Sequence, residues 1–454
     1  MSLDLTDIQG LIHHVYGYPI TRHLLFSISN PPAGMRLLKF LAPLTTHAAV
    51  PLDPKPESLL NVGITYSGLQ ALEVNPQFLK GFPLEFRSEP DPLTMGDFGS
   101  SDPVNWWNGK FTTRQVHLVV HLYGQSPEAL DEVTAAVRAA ADGNRELLPT
   151  KAGEAIEAGR LGDIPGELHF GYRDGISQPT VRWDDAPLQP TEVNYRHFIL
   201  GYSTNEIQSA PMAFASDPDS RRAAELGRNG TYSVFRWLYQ DVALFNRFLI
   251  SEGPNAFPDL SPTDAEELLA AKLMGRWRDG TPLVMSPNAP NQDLNTRNDF
   301  GYANDTKGRQ CPFSAHIRVS NPRDQELDVI SQMGGVPRVI RRGAPYGPKL
   351  TGTVDDQVER GLVGMFLCAS ILRQFYKLTG WMKANNFSPA FPNQHSQDPL
   401  ANRLTPDASS EFLIPTATGN RTVTLRDFVT TKGTAFFLLP GVRTLQKLAD
   451  GQYQ

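Results

Sequence analysis

The sequence predicts an α+β fold built on antiparallel sheets. Strand and helix patterns occur in both halves of the chain, without the strict strand–helix alternation of a doubly wound sheet. Short runs rich in β-branched and aromatic residues are bounded by turn formers, notably Arg114 to Gly124 and Thr434 to Leu439. Proline and glycine, 37 of each in 454 residues, are spread along the chain, so irregular connections are plentiful.

In chain order, Pro51 to Asp102 reads as a proline-rich connector with short helical pieces. Arg114 to Gly124 is expected as a strand. Ser126 to Ala140 is expected as a helix, because Ser126 suits the N-cap, Pro127 the first turn and Glu128 the positive end of the helix dipole. Phe198 to Tyr202 and Tyr232 to Leu238 read as further strands. Asp241 to Ile250 and Ala265 to Leu273 have helical periodicity, and Ser261-Pro262-Thr263 signals the start of the second. Asp355 to Asn385 is expected as one long helix, best buried over Gly361 to Leu372. Thr434 to Leu439 is a continuous apolar strand between Gly433 and Pro440. The polar stretch Ser203 to Gly230 is the expected boundary between two halves, 1–215 and 216–454.

Composition narrows the function. The chain is 40% hydrophobic and 20% charged, ordinary for a soluble globular protein. Its net charge of −6 argues against nucleic acid or an anionic membrane as partner, since both select basic patches. No run of about 18 apolar residues is present to span a bilayer. The N-terminus lacks the basic start and apolar stretch of a secretory leader. Cys311 and Cys368 are the only cysteines, too few for a disulfide framework or a cysteine zinc site.

Three stretches carry chemistry. His169-Phe170-Gly171-Tyr172-Arg173-Asp174-Gly175-Ile176-Ser177-Gln178-Pro179 sets a carboxylate in a glycine-rich turn. Alone it is an ordinary Asp-Gly turn. Cys311 to Arg323 holds one histidine, His316, among small and apolar residues, with Arg318 and Arg323 beyond it. A lone histidine is more often a core residue than a ligand. Val339 to Pro348 places Arg341-Arg342 at the end of an apolar run before a Pro/Gly turn. An acid, an imidazole and a guanidinium on three separate rigid segments suit a haem site. His117 and His121 share a strand face by spacing, but two ligands without a third are more often structural.

Together these stretches resemble the dye-decolourising peroxidases, and in detail their fungal branch. Gly171-x-x-Asp174-Gly175 matches that family's signature. Leu5-Thr6-Asp7-Ile8-Gln9-Gly10, Gly230 to Leu249, Ala271 to Pro287 and Gly433 to Val442 look like further blocks of it, in the family order. Gly343 stands where bacterial relatives carry Asn, as in the fungal branch. The resemblance implies two ferredoxin-like halves with antiparallel sheets and peripheral helices. The GxxDG motif falls in the first half, and haem b is bound in the second.

It implies an oxidoreductase that uses H2O2 to oxidise dyes, phenolics and lignin-related aromatics through a ferryl intermediate. Its partners are peroxide and aromatic reductants, with neither nucleic acid nor membrane, in a monomer or weak oligomer. Other members of the same fold release iron from haem, and a non-catalytic haem carrier is a third possibility. A carrier needs only the ligand. The family suggests an extracellular setting, while the start of this chain shows no leader.

Residue by residue, the resemblance makes His316 the axial ligand of the iron. Asp398 is its hydrogen-bond partner, with Asp427 as rival. Asp174 is the distal acid/base and Arg341 the distal cation. Met365 and Leu367 line the distal pocket, and Arg318 or Arg323 clamps a haem propionate. Tyr346 and Trp381 are surface electron-transfer sites for substrates too bulky for the pocket. Arg342 is expected to face away from Arg341, because neighbours on extended backbone alternate.

Overall fold

A computed structural model describes residues 3–148, 156–159, 161, 166–202, 210–214, 216–325, 336–350, 352–383, 398–401 and 411–454. Within them one strand order occurs twice. The first set runs β1 (Ile20–Ser27), α1 (Pro31–Leu41), β2 (Ser58–Ile64), β3 (Leu118–Gly124), α2 (Pro127–Ala140), β4 (Arg145–Leu147) and β5 (Ile156–Gly159). In space β4 and β5 lie beside β1, then come β3 and β2, all antiparallel. The second set runs β6 (Thr231–Gln240), α3 (Val242–Ala256), α4 (Pro262–Met274), α5 (His316–Ser320), β7 (Ile340–Arg341), β8 (Ala344–Tyr346), β9 (Gly361–Cys368), α6 (Lys377–Lys383) and β10 (Val429–Leu439). Its spatial order, β10-β6-β9 and then β7 with β8, repeats the first. Each set is thus ferredoxin-like, β-α-β-β-α-β.

The two sheets join at both edges. Ile64 of β2 pairs with Leu438 of β10, and Ala158 of β5 with Tyr346 of β8. The result is a closed ring, which leaves fewer strand edges unpaired. The inner faces meet: His23 of β1 lies 5.6 Å from Phe235 of β6, and Phe235 lies 6.2 Å from Phe437 of β10. This apolar core runs through both sets. Helices take the outer faces, fixed by their first turns. Asn30, Ser126, Asp241 and Ser261 each cap a helix with a side-chain oxygen, satisfying an otherwise orphaned N–H. No helix among the described residues is long and apolar enough to cross a membrane.

Three expectations need correction. Asp355 to Asn385 is not one helix: Gly361–Cys368 is the strand β9, and helical backbone begins only at Ile371. A strand flanked by partners and buried on both faces reads as a plain apolar run, which periodicity cannot tell from a buried helix. Asn385 lies outside the described residues. Phe198 to Tyr202 is not a strand. Phe198, Ile199 and Leu200 are fully buried in a turn that follows a short 3-10 helix at Tyr195–His197. Arg114 to Gly124 splits, with Thr113–Gln115 in a 3-10 turn before β3.

Two core histidines face each other across β1 and β3. His23 stands opposite His121, with Nδ1 to Nδ1 at 2.9 Å, so one ring donates and the other accepts. Both are buried, at 3% and 0% exposure. Burial pushes His23 down to about 3 and also lowers His121. His117 is elsewhere, accepting from the Ile28 N–H, so the two histidines of β3 and its lead-in do not chelate together. The unfolded chain takes up protons below its ordinary histidine value of 6.5, and the folded pair does not until far lower pH. Stability from the neutral pair is therefore full above 6.5 and falls as pH drops, by up to about 1.4 kcal/mol per pH unit for each histidine. The expected result for His23→Leu/His121→Leu is a flatter urea-midpoint profile on the acid side. An unchanged slope would assign the acid sensitivity elsewhere.

Candidate active site

The site is built on the outer face of the second sheet. Phe366 of β9 pairs directly with Arg341 of β7, so the two side chains share that face. β7 and β8 are separated by Arg342 and Gly343. A Cβ on Gly343 would collide with the Val363 carbonyl, so the close approach to β9 calls for glycine here. Arg342 turns the other way and donates to the carbonyls of Leu11 (2.9 Å) and Ile12 (3.3 Å).

The acid arrives on a tight turn. Asp174 N–H bonds to Gly166 O and Gly171 N–H to Leu168 O, at 2.8 Å each. Gly171, at φ +83°, has Arg278 packed where a side chain would stand, and that arginine lies over the Tyr172 ring and pairs with Glu267. Gly175, at φ +86°, faces open space. Asp174 Oδ1 then lies 3.0 Å from Arg341 Nη2. Burial acts to raise the Asp174 value. The Arg341 charge, the Gly175 N–H and His316 outweigh it and hold the carboxyl below its ordinary 3.8.

The imidazole comes from a pinned loop. His316 opens α5. Behind it Arg318 is 1% exposed, paired with Asp305 at 2.8 Å and also bonded to the Cys311 carbonyl. Lys272 donates to the carbonyls of Arg309 and Gln310. His316 Nδ1 meets Asp398 Oδ2 at 2.9 Å, and Asp398 is buried and also accepts the Leu400 N–H. Burial works to lower His316, but the charge and hydrogen bond of Asp398 raise it above 6.5. Asp398, not the exposed Asp427, is therefore the carboxylate beside this ring.

The charges of Asp174 and Arg341 both act on His316, and each of the three side chains keeps about a third of its surface open: 38%, 32% and 30%. The three lie within electrostatic reach of one another, and Arg276 and Arg338 lie within reach of Arg341. Burial, then Arg323 and Arg341, depress both Arg276 and Arg338, and Arg276 reaches about 10. Arg276 and Arg323 spend their hydrogen bonds on main-chain and amide oxygens around Asn298, and Arg323 Nε is buried without a partner among the described residues.

This donor set fits haem. A ring fixed through Nδ1 by a buried carboxylate leaves Nε2 for iron, as in other histidine–carboxylate metal sites. The cluster of cations suits two propionates. No three of His, Cys, Asp or Glu converge on a metal position among the described residues, and a porphyrin asks for one.

Other expected residues fall elsewhere. Met365 and Leu367 are not on this face. They alternate with Phe366 and enter the core inside the ring, at 3% and 0% exposure. Phe366 is the aromatic that the sequence reading missed, because only the strand register identifies its face. Arg318 is consumed by Asp305 and is no propionate clamp. Tyr346 is not a surface residue: it is 8% exposed, donates to Glu359 and lies 6.3 Å from the Trp237 ring. The side chain of Trp381 lies outside the described residues.

No family model matches the chain. It is 27% identical over 479 residues to dye-decolorizing peroxidase msp1 of Mycetinis scorodonius, covering 98% of this chain and 87% of that one. It is 25% identical over 477 residues to a dye-decolorizing peroxidase of Auricularia auricula-judae, covering 98% and 86%. Its fold is similar to that of an ancestral D-type dye decolorizing peroxidase, with TM-score 0.81, 25% identity and 99% and 100% coverage. The solved structure of a fungal peroxidase of this type from Auricularia auricula-judae gives TM-score 0.80, 24% identity and the same coverage.

If Arg341 outweighs burial at Asp174, then Arg341→Leu should move the carboxyl from below 3.8 to above it. Titrating the carboxylate band by infrared difference spectroscopy checks this. A midpoint still below 3.8 would shift the credit to the Gly175 N–H.

Proposed function

Because the chain belongs to the dye-decolourising peroxidase family, in its fungal branch, we propose that it is a haem peroxidase that uses hydrogen peroxide to oxidise dyes, phenolics and other bulky aromatics. The observation that supports this reading is the Asp174–Arg341 ion pair within electrostatic reach of the His316–Asp398 pair. A haem carrier needs the imidazole and has no use for a preorganised carboxylate and guanidinium opposite it.

In this reading His316 Nε2 holds the iron of haem b, and Asp398 keeps the Nδ1 proton in place and strengthens the ring as a donor. Arg323, whose Nε has no partner among the described residues, and Arg338 would meet the propionates, with Arg276 adding its charge from behind. Haem supplies the two-electron reduction of peroxide and the stepwise one-electron oxidation of the reductant. Asp174, ionised down to low pH, accepts the proton from one peroxide oxygen and returns it to the other, so that water can leave. The Arg341 guanidinium donates hydrogen bonds to the oxygen that gains negative charge as the O–O bond breaks. Phe366 excludes water beside them. The two halves divide at 215/216, a placement supported by the repeated strand order on either side.

The test is direct. His316→Ala is expected to lose the Soret band or bind haem weakly, and a full band with normal ligation would move the ligand elsewhere. Arg341→Leu should keep its haem and react with peroxide roughly 10²–10³-fold more slowly in rapid mixing. An unchanged rate constant would remove Arg341 from the reaction.

Dyes too bulky for the site must pass electrons at the surface. With Tyr346 buried, Trp381 is the proposed donor. Trp381→Phe should lower dye turnover while leaving the peroxide step and small phenols near wild type. Dye turnover at the wild-type level would exclude it.

A further inference from the structure

Strand β7 has a sheet partner on one side only. It ends the strand order, paired with Phe366 and Leu367 of β9. The main-chain N–H and C=O of Arg341 face the other edge, where the carbonyl accepts from Arg342 Nη1 at 3.1 Å, the N–H has no such local partner, and an unpaired buried group is destabilising. Among the described residues no strand lies there, and a side chain takes its place. Gln178 Oε1 accepts the Arg341 N–H at 3.1 Å, and Gln178 Nε2 donates to the Arg341 carbonyl at 3.2 Å. A carboxamide carries acceptor and donor in one plane, as a peptide group does, so one glutamine imitates the missing strand residue.

Gln178 follows Asp174 on the same turn, and Pro179 stiffens the exit. Farther along, His169 Nε2 bonds the Tyr346 carbonyl at 2.7 Å, so the turn is sewn to β7 and β8 at two points. The ion pair cannot set this geometry itself. Its side chains are 32% and 38% exposed, and a pair that open contributes too little to fix two flexible side chains.

We propose that Gln178 is a positioning residue for the Asp174–Arg341 pair: its amide locks the Arg341 main chain to the turn that carries Asp174. The inference rests on the peroxidase reading above. Gln178 acts through Arg341 and touches no reacting atom. Leucine at this position would fill similar volume and bond neither group. Glutamate would keep the acceptor and lose the donor.

The experiment compares Gln178→Leu, Gln178→Glu and Arg341→Leu with wild type as haem-loaded enzymes. It reads Soret absorbance per protein, hydrogen exchange at the Arg341 amide, the peroxide rate constant and the pH at which that rate falls on the acid side. Gln178→Leu should keep its haem, because the His316 side is untouched. Its Arg341 amide should exchange about tenfold faster. Its peroxide rate should fall roughly 10- to 100-fold, the effect of a reacting group misplaced by ~1 Å. Its acid limb should move to higher pH as Asp174 loses the Arg341 charge, a displacement that general loosening of the fold would not produce. Gln178→Glu should fall between. A haem-loaded Gln178→Leu with wild-type rate and acid limb overturns the proposal. If Gln178→Leu does not fold, a Gln178→Glu enzyme with wild-type rate and limb overturns it instead. Should Arg341→Leu also react at the wild-type rate, the peroxidase reading fails with it. A slow Arg341→Leu beside a normal Gln178→Leu sinks the positioning role alone.

Discussion

Seven residues, Ile340 to Tyr346, hold this molecule together at the place where its chemistry is set. Tyr346 closes the ring by pairing with Ala158 of the first sheet and Gly361 of the second. Arg342 anchors the stretch to the carbonyls of Leu11 and Ile12, and Gln374 holds the Arg338 carbonyl just before it. Gly343 lets the backbone press against Val363. Arg341 is left to project from the outer face, with its position dictated by contacts that are almost all main-chain. Arg341 is therefore placed by the way the two sheets close, not by its own carboxylate partner.

Electrostatics explains why this placement matters. Burial, then the charges of Arg323 and Arg341, depress Arg276 and Arg338, so four cations act on one another at short range here. Such a concentration of positive charge is costly without anions. Asp174 offsets part of it at Arg341, and the carboxylates of a bound porphyrin would offset more. The same field keeps Asp174 ionised despite its enclosure, which is the state a proton acceptor needs. On the opposite side Asp398 does the reverse for His316, raising it against the pull of burial. One buried acid and one half-buried guanidinium thus tune the two neighbouring groups in opposite senses.

The sequence showed a good part of this and hid the rest for physical reasons. Caps and proline starts marked α2 and α4 within a few residues, because capping is local chemistry, and periodicity marked the first part of α3. The segments bearing Asp174, His316 and Arg341 stood out as motifs. Long-range facts did not. β9 looked helical because both its faces are buried. Met365 and Leu367 looked like pocket residues because nothing in a sequence gives strand register, and a shift of one residue exchanges the two faces. Tyr346 looked like a surface group because ring closure, which buries it, involves Ala158, far away in the chain. Gln178 drew no notice, since a glutamine that imitates a strand is recognisable only once the strand is seen to lack a neighbour.

The anchoring of Arg342 to Leu11 and Ile12 has a consequence for how this protein would look in a genetic screen. Among the described residues the short helical turn Gly10–His13 makes no hydrogen bond or ion pair with Asp174, His316 or Arg341, yet its carbonyls hold Arg342, the residue next to Arg341. Lesions there would map far from the pocket and still present as enzyme defects. Grouped by what they touch, substitutions at Leu11, Ile12, Gln178, Gln374 and Val363 would form one functional cluster with a single address, the Ile340–Tyr346 segment. Distance from the haem pocket would be a poor guide to phenotype in this fold, and the number of contacts with that segment a better one.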